Sequence, residues 1–122
     1  MATKAMKATK AGIPWPLPDP LVERVAERFR VLGEPMRIRL LGVLREGEAS
    51  VSQLQEATGA SQQNVSQHLG VLLRAGIVGR RKQGNFSLYR IVDPVVFGLC
   101  DEVCEGLRRE IEELDALLEG GN

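Results

Sequence analysis

The chain has 122 residues and two cysteines, Cys100 and Cys104, four positions apart. On a helix that spacing puts both sulfurs on one face. Paired thiolates there can share one soft ion such as arsenite, antimonite, cadmium or lead. A third ligand would be water, a carboxylate such as Glu102, or a thiol of a second subunit. Two other readings stay open. The thiols can form a redox or reactive-sulfur switch within or between subunits, although parallel side chains strain an intrachain disulfide. Alternatively both pack, since free Cys behaves as a small hydrophobe. A second group is Gln62, Gln63, Ser66 and Gln67, amides and a hydroxyl with no acid among them. Gln suits the paired donor and acceptor that adenine shows in the major groove. A third group is Arg80, Arg81 and Lys82, cations suited to phosphate, where contacts position a protein without reading sequence.

Ser50 to Gly76 must position the amides. Val51, Leu54 and Ala57 form a helical stripe, and Thr58-Gly59-Ala60 breaks it with glycine where a left-handed cap is wanted. Ser61 is an N-cap for a second helix running to about Ala75. Its apolar side is Val65, Leu69, Leu72 and Leu73, and Gln62, Gln63, Ser66, Gln67, Gly70 and Arg74 occupy the other side. Two short helices around a glycine turn, with an amide-rich outer face, make a helix-turn-helix whose second helix reads DNA. His68 is the only histidine. Beside Val65 and Leu72 it packs or meets phosphate rather than binding metal. Residues 77–91 then read as two strands around a tip holding Gly84, with Arg80, Arg81 and Lys82 at the tip. Such a hairpin is a wing, and Ser61 and Arg74 join its cations in meeting phosphate.

A chain this short has room for one domain with a modest core, which association with a second copy would help to complete. At 43% hydrophobic and 26% charged it is globular. No apolar run approaches the roughly 20 residues of a membrane span, and the lysine-bearing start has no apolar leader segment, so the expected compartment is the cytoplasm. The net charge of zero hides an asymmetry: residues 1–18 carry +3, residues 50–90 carry +4 and residues 91–122 carry −7. Positive charge gathers where the reading helix and wing are expected, as a nucleic-acid surface requires. One histidine, no phosphate-cradling glycine loop and no nucleophile beside a base argue against an enzyme. The alternative of another class is a module that uses the same winged fold, with structural cysteines, to bind a protein. Steep salt dependence of duplex binding separates the two.

Residues 1–18 form a flexible basic, proline-rich arm in which Trp15 is a candidate anchor. Residues 19–92 form the DNA-binding domain. It opens with a helix capped by Asp19, apolar at Leu21, Val22, Val25, Phe29 and Leu32, and closed by Gly33. A second helix starts at Pro35, buries Ile38, Leu40, Leu41 and Leu44, and closes at Gly47. Its Arg37, Arg39 and Arg45 are read as a solvated face, with Arg37 near enough to the helix start to reach phosphate. Residues 93–119 form one long helix capped by Asp93, and residues 120–122 a tail. Phe97, Cys100, Cys104, Leu107, Ile111, Leu114 and Leu118 keep a heptad seam that wants a partner helix. This helix and the one from Asp19 are expected to make a homodimer, placing two reading helices roughly 34 Å apart on an inverted repeat of double-stranded DNA.

With these residues in hand, the chain resembles the ArsR/SmtB family of winged-helix repressors. The matching stretches are Leu32-Gly33-Glu34-Pro35-Met36-Arg37-Ile38-Arg39-Leu40-Leu41, Val65-Ser66-Gln67-His68-Leu69-Gly70-Val71-Leu72, and Ala75-Gly76-Ile77-Val78 with Gly84 and Tyr89. The likeness covers about residues 21–92, and Glu34-Pro35-Met36 departs from the commoner Asp-Pro-Thr. It implies a mainly α fold with a small β-hairpin, a winged helix-turn-helix dimerising through its terminal helices, and a repressor released by a metal, metalloid, oxidant or reactive sulfur species. The family's vicinal Cys-x-Cys pattern is missing at residues 51–54, and so is its Asp/His zinc pattern on the last helix. Cys100 and Cys104 remain, similar to paired thiols on the last helix of some arsenic and antimony sensors. No ion is expected to be needed for folding.

Overall fold

The computed structural model describes residues 12–120. Lys4, Lys7, Lys10 and the last two residues lie outside them, so the basic arm is represented only from Gly12. Five helices and three strands follow in the order α1 (Asp19–Leu32), α2 (Pro35–Leu44), β1 (Ala49–Ser50), α3 (Val51–Thr58), α4 (Gln62–Arg74), β2 (Val78–Gln83), β3 (Phe86–Ile91) and α5 (Val95–Gly120). The sheet is antiparallel with order β1-β3-β2. The expected hairpin is therefore a three-stranded sheet: Ala49 and Ser50 pair with Tyr89 and Leu88. Two residues are too few to show a period of their own.

Local chemistry explains most boundaries. Pro35 opens α2, where its missing N–H has no helical partner to lose. Glu34 caps it by accepting from the Arg37 N–H at 3.0 Å. Ser50 and Gln53 form a reciprocal capping box on α3. Gly59 ends α3 at φ 77°, the left-handed conformation glycine adopts without strain, and Ser61 caps α4 by accepting from the Asn64 N–H. Gly84, at φ 64°, is the first of two residues linking the paired Gln83 and Phe86, as a tight hairpin turn demands. Some ends differ from expectation. Pro18, not Asp19, is the N-cap of α1, and Asp19 lies within its first turn. The second helix stops at Leu44, with the Gly47 N–H donating to the Leu44 carbonyl beyond it. Asp93 accepts from the Val95 N–H, so α5 begins just after Pro94.

The core is built where α2, α3 and α4 meet the sheet. Leu40, Leu54, Val65, Leu69, Leu72 and Ile77 are wholly buried, and Val31, Leu32, Tyr89 and Val96 close its edges. On β3 the buried residue is Tyr89, while Phe86 is exposed and Leu88 and Ile91 are half-buried. Ile38, expected inside, is 48% exposed. Trp15, the candidate anchor of the arm, is more than half exposed.

The terminal helices use little of their apolar surface on this core. Helix α1 buries only Val31 and Leu32, leaving Leu21, Val22, Val25 and Phe29 exposed. In α5, Val96 is the one buried side chain, with Phe97 and Leu99 packed beside the core. Val103, Leu107, Ile111, Leu114, Leu117 and Leu118 are all exposed. No helix among the described residues is long and apolar enough to cross a membrane.

Candidate DNA-reading face and thiol pair

Helix α4 splits cleanly into two sides. Val65, Leu69 and Leu72 are wholly buried, while Ser61, Gln62, Gln63, Ser66 and Gln67 are exposed. Packing of α4 against α2 and α3 fixes the buried side and so aims the amides outward. Arg74, at the end of the helix, is exposed as well. It lines a cleft with Glu23, Arg24, Glu27, Arg28 and Val31 of α1, and its guanidinium lies over Gly70.

His68 does not join the exposed set. Its side chain is 16% accessible, and Nδ1 lies 3.1 Å from Arg37 Nη1 and 3.8 Å from Glu34 Oε1. Arg37 is itself held inside the fold: Nε donates to the Val31 carbonyl at 2.7 Å and Nη2 to the Arg30 carbonyl at 3.4 Å. The expectation that Arg37 reaches phosphate is thus corrected, because those contacts occupy its guanidinium. The backbone N–H of Arg37 holds the Glu34 carboxyl below the usual carboxylate range, with the Arg37 charge acting the same way and partial desolvation opposing them.

The wing needs a similar correction. Arg80, Arg81 and Lys82 lie along β2, and the tip is Gly84-Asn85. Successive strand residues face opposite sides, so three adjacent cations cannot all meet one phosphate backbone. Arg81 points to Glu48 and makes a bidentate pair, Nε to Oε2 and Nη2 to Oε1, both at 2.8 Å. That hydrogen bond pulls the Glu48 carboxyl below its ordinary range. The pair lies 33 residues apart in sequence, and nothing local to either residue signals it. No ion pair among the described residues engages Arg80 or Lys82. Each phosphate contact should contribute about 0.9 to the slope of log affinity against log salt. Arg80→Ala and Lys82→Ala, each present twice in a two-fold dimer, are therefore expected each to lower that slope by about two in a fluorescence-anisotropy salt series. The Glu48→Gln/Arg81→Gln double variant, which removes a neutral pair, should leave it unchanged.

Cys100 and Cys104 are free thiols one turn apart on α5, the first half-buried and the second exposed. They sit where the helix leaves the body, between the core-packed Phe97 and Leu99 and the exposed Leu107. Among the described residues no third His, Cys, Asp or Glu joins them in a metal-holding group. Arg45 is solvent-exposed, as expected, and also stacks on the Phe97 ring at 4.5 Å and lies 3.8 Å from Asp101. The end of α2 is thereby clasped to the turn of α5 that carries Cys100. A further pair, Arg28–Asp93 at 2.9 Å, ties α1 to the start of α5.

A family model described as a helix-turn-helix domain matches residues 32–81. An uncharacterised HTH-type transcriptional regulator of Mycobacterium tuberculosis, Rv0081, is 39% identical over 102 residues, which span 83% of this chain and 90% of the relative. Its crystal structure superposes with a TM-score of 0.68 at 38% identity, over 77% of this chain and 95% of that one. The homodimeric winged helix-turn-helix DNA-binding domain Mb0332 of Mycobacterium bovis, a possible ArsR-family transcriptional regulator, superposes at 0.69 with 28% identity, over 85% and 95%. The chain belongs to the ArsR/SmtB family. The crystal structure of a possible transcriptional regulator for arsenical resistance superposes at 0.53 with 37% identity over 77% of this chain and 95% of that one. As an ArsR/SmtB protein the chain is a winged helix-turn-helix transcriptional regulator and not an enzyme.

Proposed function

We propose that the chain is a homodimeric repressor that reads an inverted repeat in double-stranded DNA and is released when a thiophilic ion occupies Cys100 and Cys104. Gln62, Gln63, Ser66 and Gln67 meet base edges, and Ser61, Arg74, Arg80 and Lys82 meet phosphate. Arsenite, antimonite, cadmium and lead are the ions whose softness suits two thiolates. The observation that carries the reading is the place of the thiols. They stand on the seam of α5, one half-buried and one open, at the turn clasped by Arg45. An ion drawn between them alters packing at a point shared by the dimerisation seam and α2. The missing third ligand is then water, Glu102 or a thiol of the second subunit. The likeness to a regulator associated with arsenical resistance supports the ion reading, and the homodimeric relative supports the assembly. The site of action is the cytoplasm.

The test uses reduced protein and a duplex enriched from a random-sequence pool by the wild type. Arsenite, antimonite, cadmium and lead are titrated in turn, followed by a persulfide donor. One soft ion should weaken binding by roughly 5- to 150-fold, the range of ordinary allosteric coupling, at one ion per thiol pair. Cys100→Ser/Cys104→Ser should keep the affinity and lose the response. Release of that variant by the same ion would overturn the thiol site. Release of the wild type by the persulfide donor alone would make the chain a reactive-sulfur repressor instead.

A further inference from the structure

We propose that His68 is a positioning residue that sets the angle of the reading helix by accepting a hydrogen bond from Arg37, so that the end of α1 and the middle of α4 move as one piece. The three guanidinium nitrogens of Arg37 each reach a different place. Nε and Nη2 donate to the Val31 and Arg30 carbonyls in the last turn of α1, and Nη1 faces His68 Nδ1 at 3.1 Å. These carbonyls lack helical partners at a helix end, so Arg37 acts as the C-terminal cap of α1. Its own backbone N–H is held by Glu34, which fixes the guanidinium stem at the start of α2.

A guanidinium donates and never accepts. The short approach to Nδ1 therefore requires that nitrogen to be the acceptor and places the imidazole proton on Nε2. Glu34 Oε1, at 3.8 Å, is too distant to take a hydrogen bond from Nδ1 and leaves this assignment in place. The ring is thus locked in one tautomer and one orientation by a cation that is itself locked to α1.

The consequence falls on the neighbouring residue. Gln67 precedes His68 on α4 and is exposed on the amide face. A base-edge hydrogen bond tolerates displacements of only about half an ångström, so a small rotation at His68 misplaces Gln67 and Gln63 together. The other end of the same chain of contacts is α1, whose Leu21, Val22, Val25 and Phe29 lie exposed. A partner seated on those residues is linked through Val31 and Arg37 to the residues that read sequence.

The inference rests on α4 being the DNA-contacting helix, and the experiment separates the two. First, side-chain nitrogen NMR of the free wild-type protein should show His68 with Nε2 protonated and Nδ1 bare. Second, His68→Asn keeps an acceptor oxygen near the place of Nδ1, whereas the amide of His68→Gln reaches instead to the place of Nε2. The Asn variant should hold the enriched duplex as the wild type does, and the Gln variant should bind it roughly tenfold more weakly. The Asn variant should keep the wild-type melting temperature and the Gln variant should melt only a few degrees lower. Both should bind a scrambled duplex as the wild type does, because phosphate contacts are untouched. A ring protonated at Nδ1, or an Asn variant as weak as the Gln variant, overturns the proposal. A wild type that enriches no duplex overturns the DNA-reading role of α4, and this proposal with it.

Discussion

Leu107→Glu/Ile111→Glu is expected to sediment as a monomer and to lose roughly 100-fold or more in affinity for a duplex with two half-sites. Both side chains are more than half exposed within the protomer, so the change should leave the body and its melting behaviour intact. In a two-fold assembly each substitution occurs twice, and the seam would then hold four carboxylates. Burying such charges costs several kcal/mol each, more than the roughly 1.5–3 kcal/mol a buried Leu or Ile contributes. Two reading helices on one assembly bind with an effective-concentration advantage of about 10² to 10⁴, and a monomer forfeits it. Analytical ultracentrifugation with anisotropy on the full duplex and on one half-site checks the prediction. Half-site binding should not change. A variant that stays dimeric would place the interface away from α5.

Leu40→Ala should lower stability by about 2–5 kcal/mol, the range for emptying a fully buried leucine site. Leu40 is wholly buried on the side of α2 that packs on α4, and the cavity would open at the centre of the core. For a domain of this size the drop corresponds to roughly 10–20 °C in Tm. Ile38→Ala, two residues away and 48% exposed, should shift stability by no more than about 0.5–1 kcal/mol. Denaturant unfolding at one fixed protein concentration, with no DNA present, makes the comparison clean. Similar effects at both positions would mean that the core is not centred between α2 and α4.

The helix-turn-helix was legible because its signals are local. Gly59, Ser61 and Pro35 each act on their own backbone, and the run Val65, Leu69, Leu72 states which side is buried. The exposed amides followed from the same phase. What escaped was set by tertiary contact. Strand β1 is two residues long and exists only because Tyr89 and Leu88 pair with it. Arg81 looked like the cations beside it until Glu48, far off in sequence, claimed it. His68 and Arg37 are polar residues that the fold turns inward toward one another. Arg45 met Phe97 across the body. In α5 the heptad positions were visible, yet the docking residue Val96 stands beside that seam and not on it. A helix that docks by one face and offers another carries two overlapping patterns, and the longer one hides the shorter.

Helix α5 runs for 26 residues, about 39 Å at the usual rise, and only its first turn or two is supported by its own body. In the proposed homodimer, ordering of the outer turns and pairing of the chains become a single equilibrium. Melting temperature should therefore climb with protein concentration. Where chains are scarce, the assembled form grows as the square of their number. Promoter occupancy would then follow gene dosage more steeply than for a regulator that binds as single chains, giving the cell a sharper threshold between an unoccupied and an occupied site.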